Sequence, residues 1–338
     1  MTIETLEEEL KSGELDSLYL LYGEEVFLLE NVVKRIKKLF GELVQGINYI
    51  QIDDTNINSF SSDLKTPAFG YEKKLIIIKN AGLFKKVTGK TASAAGNAKE
   101  KFFNCLEENI ALMKESAVVV IIETNDTVAK NSKILKFVDA NGTVCNFEKL
   151  KLPALMGRLK AIINAYGVKV QDSVLKYLIE TSGVSMQVLI NEVRKLIEYA
   201  GKDGEIKKQD VDKLTTRALE SVIFDLTDNL GKKETKKAIN VLNEMLYNKE
   251  PIQKIMITLY NHFKKLYIVK LAEAHNRNLT ESLKLKPNQM FLVTKYKQQA
   301  AYFNLGELRQ ILEELIKLDE SYKIRINRCK HRHGSNFM

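Results

Sequence analysis

Tryptophan is absent from this 338-residue chain, cysteine occurs three times and proline four times. The missing tryptophan excludes nothing. Cys105, Cys145 and Cys329 are odd in number, far apart and without a CxxC pair. That pattern excludes a disulfide framework and suits a reducing, cytoplasmic compartment. No apolar run nears the roughly 20 residues that a membrane-spanning helix needs. The opening stretch MTIETLEEELKSGELD is acidic and amphipathic, the reverse of a secretory leader, so none is expected. With 17 glycines, 45% hydrophobic and 28% charged residues, the composition excludes a disordered or collagen-like chain. At about 100–200 residues per domain, the length predicts two or three domains.

Charge becomes informative once divided along the chain. Residues 1–215 hold 30 basic and 30 acidic residues, so the net charge of +9 falls wholly within residues 216–338. A field of one sign confined to one region attracts an anionic polymer, nucleic acid being the default. Solvated lysine-rich helix faces explain the same count, and charge alone leaves both readings open.

The chain reads as three parts. In residues 1–150, short β-branched or aromatic runs at 17–22, 47–53, 73–79, 117–123 and 142–148 alternate with helical patterns. In EEVFLLENVVKRIKKLF, Val26, Leu29, Val33, Ile36 and Phe40 recur at helical spacing and predict one buried stripe. Glu24 and Glu25 open that helix, favourably for its dipole. Such alternation predicts an α/β domain built on a parallel sheet with helices on both faces. The continuous runs LIII and VVVII fit strands buried on both sides. Residues 85–100, rich in Gly, Ala, Ser and Lys, read as a surface loop. Residues 151–215 predict a small helical domain, and 216–338 a longer-waved all-α domain with a basic tail.

Catalytic motifs are missing. The strand–turn–helix LYLLYGEEVFLLE stands where a nucleotide-binding domain places its phosphate loop, which needs several glycines, a lysine and a Ser/Thr. Here the turn is Gly23-Glu24-Glu25, and its carboxylates at the helix start would repel a triphosphate. After the strand AVVVIIE comes Glu123-Thr124-Asn125 rather than the Asp-Glu pair that holds magnesium and activates water. Gly89-Lys90-Thr91 imitates the end of a phosphate-loop motif, but the glycine required five residues earlier is Phe84. Cys329, His331 and His333 offer metal donors at a spacing unlike zinc sites, with no fourth ligand nearby, so no metal is expected. His262 and His275 sit in helical stretches and read as ordinary surface or core residues. No catalytic residue and no cofactor is expected. The rival readings are an active ATPase with an unusual site and a stand-alone basic nucleic-acid-binding adaptor.

The segment DLKTPAFGYEKK is unusual. Pro67 and Gly70 bracket Ala68-Phe69 just after a short helical stretch, and Pro67 disfavours helix through Thr66. Phe69 is thus held at a helix end. It either folds back over the sheet edge or projects as an apolar plug for a partner's pocket, the type of anchor that dominates small interfaces.

Taken together, LYLLYGEEVFLLE, LKTPAFGYEKKLIIIKN, SGVSMQVLINEVRKL, IKKQDVDKL, ESVIFDLTDNLG and KKAINVLNEMLYNKEPIQKIMITLYNHFKKLYIVK resemble, in order and spacing, the delta subunit of the bacterial DNA polymerase III clamp loader. The resemblance covers nearly the whole chain and fades after Tyr322. It implies an AAA+-like α/β domain at 1–150, a helical lid domain at 151–215 and a helical collar domain at 216–338 that oligomerises. It also implies a lost ATP site, in keeping with the Gly23-Glu24-Glu25 turn. Gln187 stands where related ATP-sensing modules place an arginine, and no Ser-Arg-Cys triple occurs. In the family, delta holds open one interface of the ring-shaped sliding clamp by inserting an apolar pair. The matching stretch puts that pair at Ala68 and Phe69. The implied partners are the clamp (the beta subunit), the ATPase subunits and delta prime through the collar, and primer–template DNA. Ala68 is small where a larger aliphatic can occur.

Overall fold

In the computed structural model the chain divides into two compact units, Met1–Lys149 and Leu150–Met338. The structure describes residues 1–84 and 92–334, the side chains of 92–97 and 325–334 excepted. The Gly89-Lys90-Thr91 imitation and the side chains of Cys329, His331 and His333 lie outside the described residues.

The first unit runs α1 (Ile3–Glu9), β1 (Leu18–Tyr22), α2 (Val26–Phe40), β2 (Tyr49–Ile52), α3 (Phe60–Lys65), β3 (Lys74–Lys79), α4 (Ala92–Glu108), α5 (Ile110–Ser116), β4 (Ala117–Glu123), α6 (Lys133–Asn141) and β5 (Thr143–Asn146). Its described strands form one parallel sheet in the order β2-β3-β4-β1-β5. Each expected strand is present. Every residue of β4 is buried, as its continuous apolar run requires. Because side chains alternate along a strand, Leu18, Leu20, Ile76, Ile78, Val119 and Ile121 share one face. There they meet Phe60, Phe102, Leu106, Ile134 and Val138 from α3, α4 and α6. On the other face Leu29 and Val33 of α2 share a groove with Ile77 and Ile122.

Two local expectations differ. Val26 is exposed, and the buried stripe of α2 is Leu28, Leu29, Val32, Val33 and Ile36. The wider stripe reflects a helix laid flat on a sheet, which buries more than one line of side chains. Residues 92–100, read as loop, belong to α4. Alanine at 92, 94, 95 and 98 favours helix and outweighs Gly96.

The second unit runs α7 (Leu152–Ala165), β6 (Lys169–Val170), α8 (Asp172–Ser182), α9 (Met186–Ala200), β7 (Glu205–Ile206), α10 (Lys208–Leu214), α11 (Leu219–Gly231), α12 (Thr235–Tyr247), α13 (Ile252–Ala274), α14 (Leu279–Leu283), α15 (Leu292–Ala300) and α16 (Leu305–Gly334). The parallel pair β6–β7 interrupts the helices; at two residues per strand it leaves no readable alternation. Leu175, Leu178, Leu189, Val193 and Val211 are buried in the helices that flank it. Further on, Ile223, Leu226, Met245 and Ile255 form one apolar cluster, and Phe263, Leu266, Val269, Tyr296 and Leu308 another. The backbone of α16 stays helical through Gly334, where the sequence suggested only a tail.

Candidate functional site

The turn carrying Phe69 is built from α3 outwards. Phe60 and Leu64 anchor α3 in the core, and the Phe60 ring packs 4.7 Å from that of Phe102. The Thr66 amide and hydroxyl both donate to Ser62 O, at 3.0 and 2.7 Å. At Thr66 the backbone leaves the helix with ψ 130°, the conformation that Pro67 imposes on its predecessor. Tyr71 N then donates to Ala68 O at 2.8 Å, closing a four-residue turn. Its third position is Gly70 at φ 84°, a value that glycine alone adopts freely. Phe69 occupies the second position and is 74% exposed. Ala68 is half-buried. Of the two conformations open to the sequence, the ring takes the projecting one. Lys74, buried at the start of β3, donates its ammonium to Asp63 O at 2.6 Å and to Thr66 O. Burial lowers its pKa, against the opposing pull of Asp63.

The loop after β1 is closed upon itself. Gly23 N donates to Glu123 O at 3.1 Å and Glu25 N to Phe147 O at 2.8 Å. Gly23 sits at φ 132°, and a Cβ there would lie 2.5 Å from Phe147 O. Glu25 precedes the first residue of α2, yet its buried carboxylate makes no cap; it pairs with Lys149 at 3.0 Å. Buried Glu123 accepts from Asn125 N and Asp126 N, both at 2.9 Å. Two main-chain amides that could cradle a phosphate are therefore committed to protein carbonyls, and two carboxylates serve the fold. Among the described residues no group of three or more His, Cys, Asp or Glu side chains could hold a metal ion.

In the second unit no local pattern marks the polar contacts at His262, which is buried on α13 against Gln299 of α15. His275 caps the end of α13 and is exposed. Ile239, Leu246 and Tyr247 leave an apolar stripe on α12 open to solvent, Tyr247 at 86% exposure. Sequence reasoning also missed Lys74, since a lysine opening a strand carries no mark of burial.

Comparison with known proteins decides the family. The model for "DNA polymerase III, delta subunit" matches residues 19–148, and that for "DNA polymerase III delta subunit, C-terminal domain" matches residues 220–328. Together they span well over half of the chain. The chain belongs to the DNA polymerase III delta-subunit family. Similar proteins include the DNA polymerase III subunit delta of Bacillus subtilis, 24% identical and covering 93% of this chain and 90% of the relative. A probable DNA polymerase III subunit delta of Aquifex aeolicus is 26% identical, covering 91% and 87%. The solved structure of a Bacillus subtilis DNA clamp loader delta protein shares the fold, with a TM-score of 0.70 at 23% identity over 95% of this chain and 94% of that one. The α/β unit followed by helices is thus the fold of that delta protein. Membership ties the chain to DNA polymerase III and so to DNA replication. Among the described residues no helix is long and apolar enough to cross a membrane.

Proposed function

We propose that the chain binds the sliding clamp through Phe69, with Ala68 beside it, and holds one interface of the ring open while ATP-hydrolysing partner subunits load it on primed DNA. The observation that carries this reading is an aromatic ring 74% exposed on a turn fixed at both ends. Burying a phenylalanine contributes about 1.5–3 kcal/mol, so flanking contacts must complete the interface. Opening follows from differential affinity: a ligand that binds the open ring better than the closed one shifts the ring towards opening.

The chain itself acts without nucleotide in this reading. The committed amides of Gly23 and Glu25 and the Glu25–Lys149 pair argue against an active ATPase. Residues 151–215 serve as the lid and 216–338 as the collar. The exposed stripe of Ile239, Leu246 and Tyr247 supplies apolar surface for the neighbouring loader subunits, delta prime and the ATPases. A pull-down of the full chain on the sliding clamp tests the central claim. Phe69→Ala should lose the clamp with the fold unchanged, and clamp binding retained by that variant refutes the assignment. Measurable ATP hydrolysis by the purified chain would favour the active-ATPase reading instead.

A further inference from the structure

We propose that Lys74 is a positioning residue for the Phe69 turn, its buried ammonium clasping the end of α3 to the start of β3 and so aiming the ring at the clamp. The inference rests on the clamp-binding reading above.

Its basis is an unusual donor. In a continuing helix the Asp63 carbonyl would accept from the amide four residues on, but that residue is Pro67, which has no N–H. Lys74 Nζ takes the vacant place, at 2.6 Å from Asp63 O, and also reaches Thr66 O. A lysine is rarely buried, and an ammonium removed from water must find acceptors. Here those acceptors are carbonyls at the C-terminal end of a helix, where positive charge is favoured. The Asp63 carboxylate accepts from Ser59 Oγ at 2.7 Å.

The geometry gives the clasp a mechanical consequence. Thr66 and Lys74 are the two ends of the segment that carries Ala68, Phe69 and Gly70, and the ammonium joins those ends. Between them, among the described residues, Tyr71 N to Ala68 O is the one main-chain hydrogen bond within the turn, and no atom within 4 Å would meet a side chain at Gly70. The tip of the turn, Phe69 and Gly70, therefore stands clear of the body, while half-buried Ala68 and Tyr71 tie it to its base. A ring presented in one direction binds without the cost of ordering its segment; a wandering one bears that cost in affinity.

The test measures affinity of the full chain for the sliding clamp, melting temperature and amide exchange at Gly70 and Tyr71, for Phe69→Ala, Lys74→Met, Lys74→Gln and Lys74→Arg. Lys74→Met is expected to bind about tenfold more weakly with the ring still present, and its Tyr71 amide to exchange faster while the sheet amides do not. Lys74→Arg, which keeps cationic donors, should recover most of the affinity. If Lys74→Met does not fold, Lys74→Gln, which keeps one donor, carries the comparison and should fall between wild type and complete loss. Wild-type affinity in the Met or Gln variant overturns the clasp and leaves the plug standing. Weakened binding with unchanged exchange at Gly70 and Tyr71 overturns it too. Wild-type affinity in Phe69→Ala removes the plug itself, and the clasp with it.

Discussion

His262 Nε2 lies 2.7 Å from Gln299 Oε1 inside the helical unit, and Gln299 carries the contact onward, donating its amide to Phe224 O at 2.8 Å and Asp228 Oδ1 at 2.6 Å. Those two acceptors fix which end of the Gln299 amide faces the histidine. Its oxygen can only accept, so His262 carries its proton on Nε2. Phe224, Phe263 and Tyr296 pack their rings around the imidazole, which makes it a strut joining α11, α13 and α15.

Stability of the helical unit should fall in mild acid because of this strut. Burial pushes the His262 pKa down from 6.5 to about 4, partly offset by the Gln299 bond and reinforced by nearby Lys265. Between those values the unfolded chain binds a proton that the folded chain refuses, so lowering the pH favours unfolding. The contribution is full above about pH 6.5, is lost by about pH 4 and amounts to about 3 kcal/mol. Urea unfolding at pH 7.5 and pH 5 measures it by comparison with His262→Leu. The variant should be less stable at pH 7.5 and show a smaller loss on acidification. Equal losses would show that other groups set the acid sensitivity.

The Glu25–Lys149 pair should behave as a structural contact with strong coupling. Both side chains are largely buried, at 5% and 23% exposure. Lys149→Met leaves a carboxylate in poor solvent and should destabilise the first unit by roughly 2–4 kcal/mol. Adding Glu25→Gln removes the orphaned charge, so the double variant should recover part of the loss. A double-mutant cycle in urea reads the coupling, and additive effects would show the pair to be idle.

Gly23→Ala should be among the costliest small substitutions in the first unit. The added carbon would meet Phe147 O at 2.5 Å, and φ 132° is closed to an alanine in any case. Since Phe147 also bonds Tyr22 and Glu25, the strand ends cannot separate cheaply. A loss of more than about 2 kcal/mol in urea unfolding is expected, in line with strain at a special backbone conformation. A near-neutral outcome would mean that the loop rearranges freely and is no fixed closure.

How far the sequence could be read follows from which signals are local. The central strands β3 and β4 were legible because LIII and VVVII are apolar on both faces, and β2 and β5 because their β-branched and aromatic residues alternate with polar ones. The end of α3 was legible at Pro67, whose ring acts on its own neighbour. Phe69 could not be decided, since projecting and folding back are equally compatible with Pro67 and Gly70. What decides it includes Lys74, which reaches eight residues back to Thr66. His262 was illegible for the same reason: its partner Gln299 lies 37 residues away. Glu25 was read as a helix-dipole charge, and its pairing with Lys149 across 124 residues had no local mark.

Two phenylalanines nine residues apart separate folding from docking. Phe60 is buried against Phe102, whereas Phe69 is 74% exposed. Truncating a buried phenylalanine costs about 3–5 kcal/mol through lost burial and the cavity left behind. Truncating an exposed one removes little that the fold uses, typically within about 0.5 kcal/mol. Phe60→Ala should therefore lower the melting temperature by many degrees, and Phe69→Ala should leave it nearly unchanged. Clamp binding should show the opposite order at a temperature where both variants are folded: lost in Phe69→Ala, retained in Phe60→Ala in proportion to the folded fraction. If Phe69→Ala melts as early as Phe60→Ala, the ring is packed in solution and the plug has no free surface. If both variants bind the clamp equally well, the docking contact lies elsewhere on the chain.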